Sequence, residues 1–240
     1  MLAHKPVLLL APGLMCDATS WGPAPAMLPG FDCRVIDHGM ADSLTQMAEQ
    51  LLANAPERFA LAGHSMGGRV ALEVMRVAPE RVTHLGLFDT GHLPKPTGAA
   101  GDEEVRKRMA LLAIAREQGV RAMASEWVKG MVAPHRLSDR SLIDAILDMF
   151  ERKTADTFER QLHALIQRPD ATPVLQKIQV PTLVLCGELD AWSPPTQHQA
   201  IADYIPARPA VVSIADCGHM AMQEQPEAVA LAMRQWLSAH

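Results

Sequence analysis

The chain has 240 residues, of which 48% are hydrophobic and 20% are charged, and its formal net charge is −5. These proportions are typical of globular proteins and exclude a disordered or fibrous chain. The negative charge, with no basic cluster that could follow a phosphate backbone, predicts that the protein binds no nucleic acid. A single α/β domain of this length is common and buries a large core, so we expect one domain with one insertion.

The amino terminus and the cysteines bear on the compartment and on cofactors. The apolar run at 7–10 is too short for a signal peptide or a membrane span, so we expect a cytoplasmic protein without a membrane partner. The cysteines lack metal-ligand spacing, and reduced thiols are expected at Cys16, Cys33, Cys186 and Cys217. No metal or cofactor site is predicted. The oligomeric state is left open, and a homodimer is one of the options.

Apolar runs alternate with helical patterns on either side of a central segment. Strands are predicted at 7–11, 33–37, 59–63, 82–89, 180–187 and 210–214. Helices are predicted at 43–54, 66–78, 196–204 and 226–239. Ser43 is expected to cap the first helix, and Pro79 is expected to stop the second. The predicted fold is therefore α/β, with a mostly parallel central sheet and helices on both of its faces.

The alternation stops in the central segment, where helical runs follow one another at 105–117, 120–132, 141–151 and 155–167. About 80 residues are more than one crossover between parallel strands needs. We interpret 91–173 as a helical cap, inserted into a core that is formed by 1–90 and 174–240. Within the cap, the basic run Arg106-Lys107-Arg108 follows Asp102-Glu103-Glu104 after a single residue. This charge pattern is typical of a solvated helix face.

Ser65 lies in the pattern Gly63-His64-Ser65-Met66-Gly67, between a strand-like run and a helical run. A turn this tight forces the serine into a strained backbone conformation, and only small residues two positions away on either side avoid a clash with it. The turn also places the hydroxyl at the positive end of the following helix. Ser65 is therefore predicted to be a nucleophile, and Gly68 is expected to let the helix pack closely.

A serine nucleophile needs a base that accepts its proton and an acid that orients the base. His219 lies between the last predicted strand and the last helix, at the sheet edge where Ser65 also lies, and is predicted as the base. Asp190 follows the strand at 180–187 and is predicted as the acid, since the order Ser, Asp, His is the one used by nucleophile-elbow folds. Asp89 is the alternative acid. Asp89 could instead have a structural role, in which its carboxylate accepts hydrogen bonds from backbone amides of the loop.

Other polar residues near these positions are given structural roles. His64 is expected to point away from Ser65. Glu188 is expected to face solvent, and Asp216 could brace the loop before His219. Six histidines are expected on surfaces or in the cap: His38, His84, His92, His135, His163 and His198.

Two backbone amides are predicted to hold the negative oxygen of a tetrahedral intermediate, an arrangement that lowers the barrier to acyl transfer. The first belongs to Met66, directly after the nucleophile. The second lies in the loop after the first strand, where Pro12-Gly13 relaxes the turn, and is assigned to Leu14. An ordinary turn between a strand and a helix is the alternative interpretation of this loop.

Four motifs together resemble the α/β-hydrolase superfamily: Leu10-Ala11-Pro12-Gly13-Leu14, Gly63-His64-Ser65-Met66-Gly67-Gly68, Gly187-Glu188-Leu189-Asp190 and Cys217-Gly218-His219. The resemblance spans nearly the whole chain. The core is similar to small capped serine hydrolases, which include carboxylesterases, the pimeloyl-carrier-protein methyl esterase, enol-lactonases, carbon–carbon bond hydrolases and the menaquinone-pathway synthase that eliminates pyruvate. Where these families usually have His-Gly, this chain has Pro12-Gly13, which keeps the backbone donor and lacks a common side-chain brace.

The residues and the resemblance imply a cofactor-free serine hydrolase that cleaves carboxylic esters of small to medium hydrophobic substrates through an acyl-enzyme on Ser65. Two alternatives use the same three side chains: hydrolysis of a carbon–carbon bond, and a menaquinone-type elimination of pyruvate. The second draws on the motif that ends in Arg69, although this arginine could simply pair with an acid. The alternative from another class is a hydrolase-fold ligand receptor with little turnover.

Overall fold

A computed structural model describes residues 5–239, so residues 1–4 and residue 240 of the predicted core lie outside the described part. The strands are β1 (Val7–Ala11), β2 (Asp32–Val35), β3 (Phe59–His64), β4 (Val82–Phe88), β5 (Thr182–Gly187) and β6 (Val211–Ile214). They form one sheet in the order β2-β1-β3-β4-β5-β6, and every pair of neighbours is parallel. The parallel sheet is the one that the sequence predicted.

The inner strands β1 and β3 are almost entirely buried. Their side chains alternate between two apolar clusters, because successive residues of a strand point to opposite faces. Leu9 and Leu61 belong to one cluster, whereas Leu8 and Leu10 belong to the other. Both faces are therefore covered, which is why these strands are continuous apolar runs in the sequence.

Ten α-helices are found in residues 5–239: α1 (Leu44–Asn54), α2 (Met66–Val77), α3 (Ala99–Gln118), α4 (Val120–Trp127), α5 (Arg140–Glu151), α6 (Ala155–Ile166), α7 (Thr172–Leu175), α8 (Pro195–Tyr204), α9 (Ala221–Glu224) and α10 (Pro226–Leu237). Apolar residues of α1, α2 and α8 belong to one cluster, and those of α10 belong to the other. The Ser43 side chain accepts a hydrogen bond from the Gln46 amide and caps α1 as predicted. No helix that the structure describes has the length and hydropathy of a membrane-spanning segment.

Several predicted element ends were wrong, and backbone chemistry explains two of them. β4 ends at Phe88 because Asp89 adopts a φ of 43°, a left-handed conformation that does not continue a strand. β5 begins at Thr182 because Pro181 has no amide to join the ladder. β2 starts and ends earlier than the predicted 33–37.

Helices α3 to α7 fill the segment between β4 and β5, all of which is described and which contains no strand. α3 begins at Ala99 instead of 105, directly after Gly98, whose φ is 65°. The predicted helix 120–132 ends at Trp127, where a short 3₁₀ turn follows. One apolar cluster runs from α2 through this segment. The division into core and cap therefore stays a prediction.

Candidate active site

Ser65 lies in the turn between β3 and α2 with φ 53° and ψ −114°, values that are strained for a residue other than glycine. A Cβ atom on Gly63 would collide with the carbonyl of Gly67, and one on Gly67 would collide with the backbone at the end of β1. Both positions therefore require glycine. Gly68 packs against a side chain, since a Cβ there would lie 2.6 Å from Thr90 Oγ1. That hydroxyl donates a hydrogen bond to the Ser65 carbonyl.

Three predicted site residues meet at the carboxyl edge of the sheet. Ser65 Oγ lies 2.9 Å from His219 Nε2, and His219 Nδ1 lies 2.8 Å from Asp190 Oδ2. Because the Asp190 carboxylate accepts a hydrogen bond, Nδ1 carries the proton and Nε2 is free to accept the Ser65 proton. Asp190 and His219 are 2% and 4% exposed. The row can thus move a proton from Ser65 with little competition from water.

The Asp190 carboxyl is held in its charged form. Burial by itself raises its pKa, but His219 on Oδ2 and two amides on Oδ1 outweigh this effect. The amides belong to Trp192 and Ser193, at 2.9 and 3.0 Å. The pKa of Asp190 therefore lies well below its ordinary value, and the carboxylate can orient His219 and stabilise its protonated ring.

Asp89, the alternative acid, is hydrogen-bonded to a backbone amide. Its Oδ1 accepts a hydrogen bond from the Gly187 amide at 2.8 Å, and no hydrogen bond joins it to His219. Burial, and next the nearby Asp190 carboxylate, raise the pKa of Asp89 well above its ordinary value. A neutral carboxyl does not stabilise a charged imidazole, so the geometry favours Asp190 as the acid.

Leu14 and Met66, whose amides are the predicted donors, both line the cavity beside Ser65. Neither donates a hydrogen bond to another residue in the described range 5–239. Met66 is the first residue of α2, where an amide has no partner within the helix. Both groups are therefore available to an oxygen of a ligand, which is the role that the sequence predicted for them. That role stays a prediction.

The loop that carries Leu14 is braced by two residues that sequence reasoning missed. His38 Nε2 donates a hydrogen bond to the Pro12 carbonyl at 3.0 Å. Gln161, on α6, accepts one from the Met15 amide at 2.8 Å. His38 thus braces a loop in which Pro12 replaces the histidine that related families usually have. Neither contact has a local sequence signal.

The loop that carries His219 has a brace of its own. Glu224 Oε1 accepts hydrogen bonds from the Gly218 amide at 2.9 Å and from the Met220 amide at 3.2 Å. Glu224 Oε2 accepts one from the Ala133 amide, between β4 and β5, at 2.8 Å. The residue was not predicted, although an acidic residue shortly after the histidine is a signal that could have found it. Asp216, the suggested brace, is exposed.

Two of the histidines expected on surfaces or in the cap, His38 and His198, are instead buried outside the segment 91–173, whereas His92 is buried within it. His198 Nε2 accepts a hydrogen bond from the Thr90 amide. A neutral imidazole can therefore lie in a core when its nitrogens have hydrogen-bond partners. His64 donates to the His219 carbonyl at 2.8 Å, and burial together with His219 lowers its pKa to about 3. Within residues 5–239, no cluster of three or more His, Cys, Asp or Glu side chains could hold a metal ion.

A cavity of about 510 Å³ opens beside Ser65 and His219. Its apolar wall is formed largely by the segment between β4 and β5, through Leu111, Trp127, Met131, Phe158, Leu162 and Leu165. Trp192 stacks on Trp127 with 5.6 Å between ring centroids and lies 4.9 Å from the His219 ring. The aromatic wall therefore extends to the His219 ring, and the volume suits a small to medium ligand.

Another part of the cavity wall is charged, and this corrects two expectations. Glu104, Lys107 and Arg108 line the cavity, because residues three and four apart share one side of α3. Glu104 and Arg108 are half-buried there and do not belong to a solvated face, whereas Lys107 is exposed, as expected. Arg106, on another side, is exposed. Arg69 also lines the cavity and forms no ion pair with any carboxylate in residues 5–239.

A family model described as the alpha/beta hydrolase family matches residues 7–232. The chain therefore belongs to the α/β hydrolase family. The parallel sheet and the turn at Ser65 agree with that membership. The class of protein is thus a hydrolase, as the sequence motifs implied.

Three relatives illustrate the range of similar proteins. A provisionally named carbamate hydrolase, RutD, of Pseudomonas savastanoi pv. phaseolicola is 29% identical over 223 residues, or 85% of this chain and 83% of that one. A provisionally named esterase/lipase of Haemophilus influenzae is 26% identical over 250 residues, or 98% of this chain and 84% of that one. The solved structure of a thermophilic esterase from Thermogutta terrifontis is 28% identical and has a TM-score of 0.84. The match covers 98% of this chain and 90% of the esterase chain.

Proposed function

We propose that this protein is a cofactor-free serine hydrolase that cleaves carboxylic esters of small to medium hydrophobic compounds through an acyl-enzyme on Ser65. The observation that carries the proposal is the hydrogen-bonded row from Ser65 through His219 to Asp190, with distances of 2.9 and 2.8 Å, at the wall of the cavity. The relatives named as esterases, from Haemophilus influenzae and Thermogutta terrifontis, support the same reaction class.

In the first half of the reaction, His219 Nε2 accepts the Ser65 proton while Oγ attacks the carbonyl carbon of the ester. The Asp190 carboxylate stabilises the imidazolium that forms. His219 then gives the proton to the leaving alcohol oxygen as the carbon–oxygen bond breaks, and the acyl group stays on Ser65. In the second half, His219 takes a proton from water, whose oxygen attacks the acyl carbon. His219 then gives this proton to Ser65 Oγ as the bond between the acyl carbon and Oγ breaks and the acid is released.

The negative oxygen of each tetrahedral intermediate is held by the Leu14 and Met66 amides. One such donor contributes about 3 kcal/mol to lowering a barrier when it is aimed at the oxyanion in advance. The loop of Leu14 is already fixed by His38 and Gln161. Little reorganisation is therefore needed when the charge develops.

We also propose that the segment 91–173 acts as a cap that determines the substrate. It contributes most of the apolar wall of the cavity. It also contributes Gln161 to the loop of Leu14 and Ala133 to the brace of the His219 loop. Substitutions in this segment are therefore expected to change both chain-length preference and rate.

Hydrolysis of p-nitrophenyl esters from acetate to laurate, by the parent and by Ser65→Ala, tests the proposed reaction. We expect turnover by the parent with an optimum at short to medium acyl chains, because the cavity is about 510 Å³. Ser65→Ala should lower kcat by about 10⁴-fold or more. The matched control is Ser138→Ala, which changes an exposed serine and should leave the rate unchanged.

A parent-like rate in Ser65→Ala would falsify the proposed mechanism. If the parent hydrolyses none of the esters, the alternatives take precedence. Loss of dienol absorbance with a vinylogous diketone would then indicate carbon–carbon cleavage, and release of pyruvate would indicate the elimination. Thermal stabilisation by a ligand without product would indicate a receptor.

A further inference from the structure

Four cationic side chains and only one carboxylate border the same part of the cavity: Arg69, Lys107, Arg108, Arg168 and Glu104. Glu104 is already shared between two of the cations. It accepts hydrogen bonds from Arg108 Nε at 3.0 Å and from both Nη atoms of Arg168 at 2.6 and 2.8 Å. Lys107 is exposed and lies 3.6 Å from Glu103, which is outside the cavity. In the basic corner, as we call these five residues, the uncompensated positive charge therefore comes from three arginines that have one carboxylate among them.

Of the cations in the basic corner, Arg69 has the fewest contacts that offset its positive charge. Its Nη1 donates a hydrogen bond to the Leu93 carbonyl at 2.9 Å, and Arg168 Nε donates to the same oxygen at 3.3 Å. No carboxylate of residues 5–239 lies within ion-pair distance of Arg69, and Nε and Nη2 make no hydrogen bond there. Two guanidinium groups are thus held at one carbonyl beside a cavity.

The arrangement is electrostatically unfavourable as it stands. Burial lowers the pKa of Arg69 to about 9, and the neighbouring charge of Arg168 acts in the same direction. The group is still charged at neutral pH. An anion placed in the cavity against Arg69 would offset both the lost hydration and the repulsion between like charges.

We propose that the basic corner binds a free carboxylate of the substrate, so that the ester is a monoester of a dicarboxylic acid. This inference rests on the proposed ester hydrolysis at Ser65. A planar guanidinium matches a carboxylate with two parallel hydrogen bonds, and Arg69 Nε and Nη2 are available for them. The apolar wall then takes the hydrocarbon part of the molecule.

The position of Arg69 limits the length of the diacid. Arg69 follows Ser65 by one helical turn, and its amide points to the Ser65 carbonyl at 3.4 Å. One turn rises about 5.4 Å between the two backbone positions, and both residues line one cavity of about 510 Å³. A diacid with roughly four to six carbons can therefore have its ester carbonyl at Ser65 and its free carboxylate at Arg69 within that cavity.

The kinetic test compares two esters of equal length, monomethyl glutarate and methyl pentanoate, by proton release in a pH-stat. The parent should prefer the anionic ester in kcat/KM by about tenfold or more, since a hydrogen-bonded charge pair is worth that much. Arg69→Gln should bring the ratio of the two kcat/KM values towards one, and Arg69→Lys should keep part of it. The matched control is Arg106→Gln, an exposed residue of α3, which should keep the parent ratio.

A binding measurement separates this inference from the proposed reaction. Glutarate is titrated calorimetrically into Ser65→Ala with and without Arg69→Gln, with pentanamide as the neutral comparator and circular dichroism as the check on folding. Tight glutarate binding that weakens about tenfold with Arg69→Gln supports the carboxylate site, even if the parent hydrolyses no ester. The carboxylate site is overturned if the parent has equal kcat/KM values for the two esters, or if glutarate does not bind. In that case, turnover of methyl pentanoate would still support ester hydrolysis at Ser65.

Discussion

Glu224 accepts hydrogen bonds from the backbone amides on both sides of His219. The two amides belong to Gly218 and Met220, and the second carboxylate oxygen takes the Ala133 amide. The side chain is 3% exposed, and burial raises its pKa despite the three amides. The imidazole of His219 thus depends for its position on a carboxylate that is hydrogen-bonded to neither Ser65 nor Asp190.

The substitution Glu224→Gln tests this positioning role. A glutamine presents an NH₂ group to at least one of the three amides, so one buried hydrogen bond is lost. We expect the free energy of unfolding to fall by about 1–3 kcal/mol. We expect kcat to fall about tenfold with little change in KM, since a small displacement of the base affects the chemical step. Urea unfolding and steady-state kinetics measure the two effects.

Glu227→Gln is the matched control, because Glu227 is exposed on α10, shortly after Glu224. It should leave both quantities unchanged. A loss of stability in Glu224→Gln without a change in kcat would show that Glu224 supports only the fold.

Gln161→Leu should disturb the loop of Leu14 from the side of α6. The Met15 amide loses its acceptor in a buried position, and the loop must rearrange to satisfy it. We expect kcat to fall about tenfold with p-nitrophenyl butyrate, through poorer alignment of the Leu14 amide. Gln167→Leu, at an exposed position directly after α6, is the control. Equal kcat for the two variants would contradict this role of Gln161.

Asparagine variants of the two candidate acids should differ strongly. Asp190→Asn should lower kcat by about 10⁴-fold, because an amide cannot stabilise the imidazolium and favours the wrong His219 tautomer. Asp89→Asn replaces a neutral carboxyl with a neutral amide that can still accept the Gly187 amide, and asparagine tolerates a positive φ. Its kcat should stay within about threefold of the parent. The reverse order of the two rates would make Asp89 the acid.

The low pKa of Asp190 predicts a specific dependence of stability on pH. The folded-state pKa is lowered, so the group stabilises the fold above its unfolded pKa of about 3.9, and this stabilisation is lost as the pH falls through the folded value. The free energy of unfolding of the parent relative to Asp190→Asn should therefore be constant from pH 7 to about pH 5 and shrink below about pH 4. Urea titrations between pH 7 and pH 3 measure it. A difference that stays constant to pH 3 would refute the assignment of a lowered pKa.

The sequence by itself determined the sheet, the family and the places of Ser65, Asp190 and His219. Each of these depends on local chain rules. Buried parallel strands need continuous apolar runs, and the turn at Ser65 needs glycine at Gly63 and Gly67 because a Cβ would strike the backbone. The carboxyl ends of parallel strands meet at one edge, so loop residues after different strands come together without any further signal.

Only the tertiary structure decided how the site is held and how its wall is charged. The braces join residues that are far apart in the chain, by 146 positions between Met15 and Gln161 and by 91 between Ala133 and Glu224. A hydrogen bond between distant polar groups leaves no periodic pattern in a sequence. The same holds for Arg69, since whether a cation meets a carboxylate depends on which helices pack beside it. Local geometry can be inferred from neighbouring residues, whereas the balance of charge in a cavity depends on the whole fold.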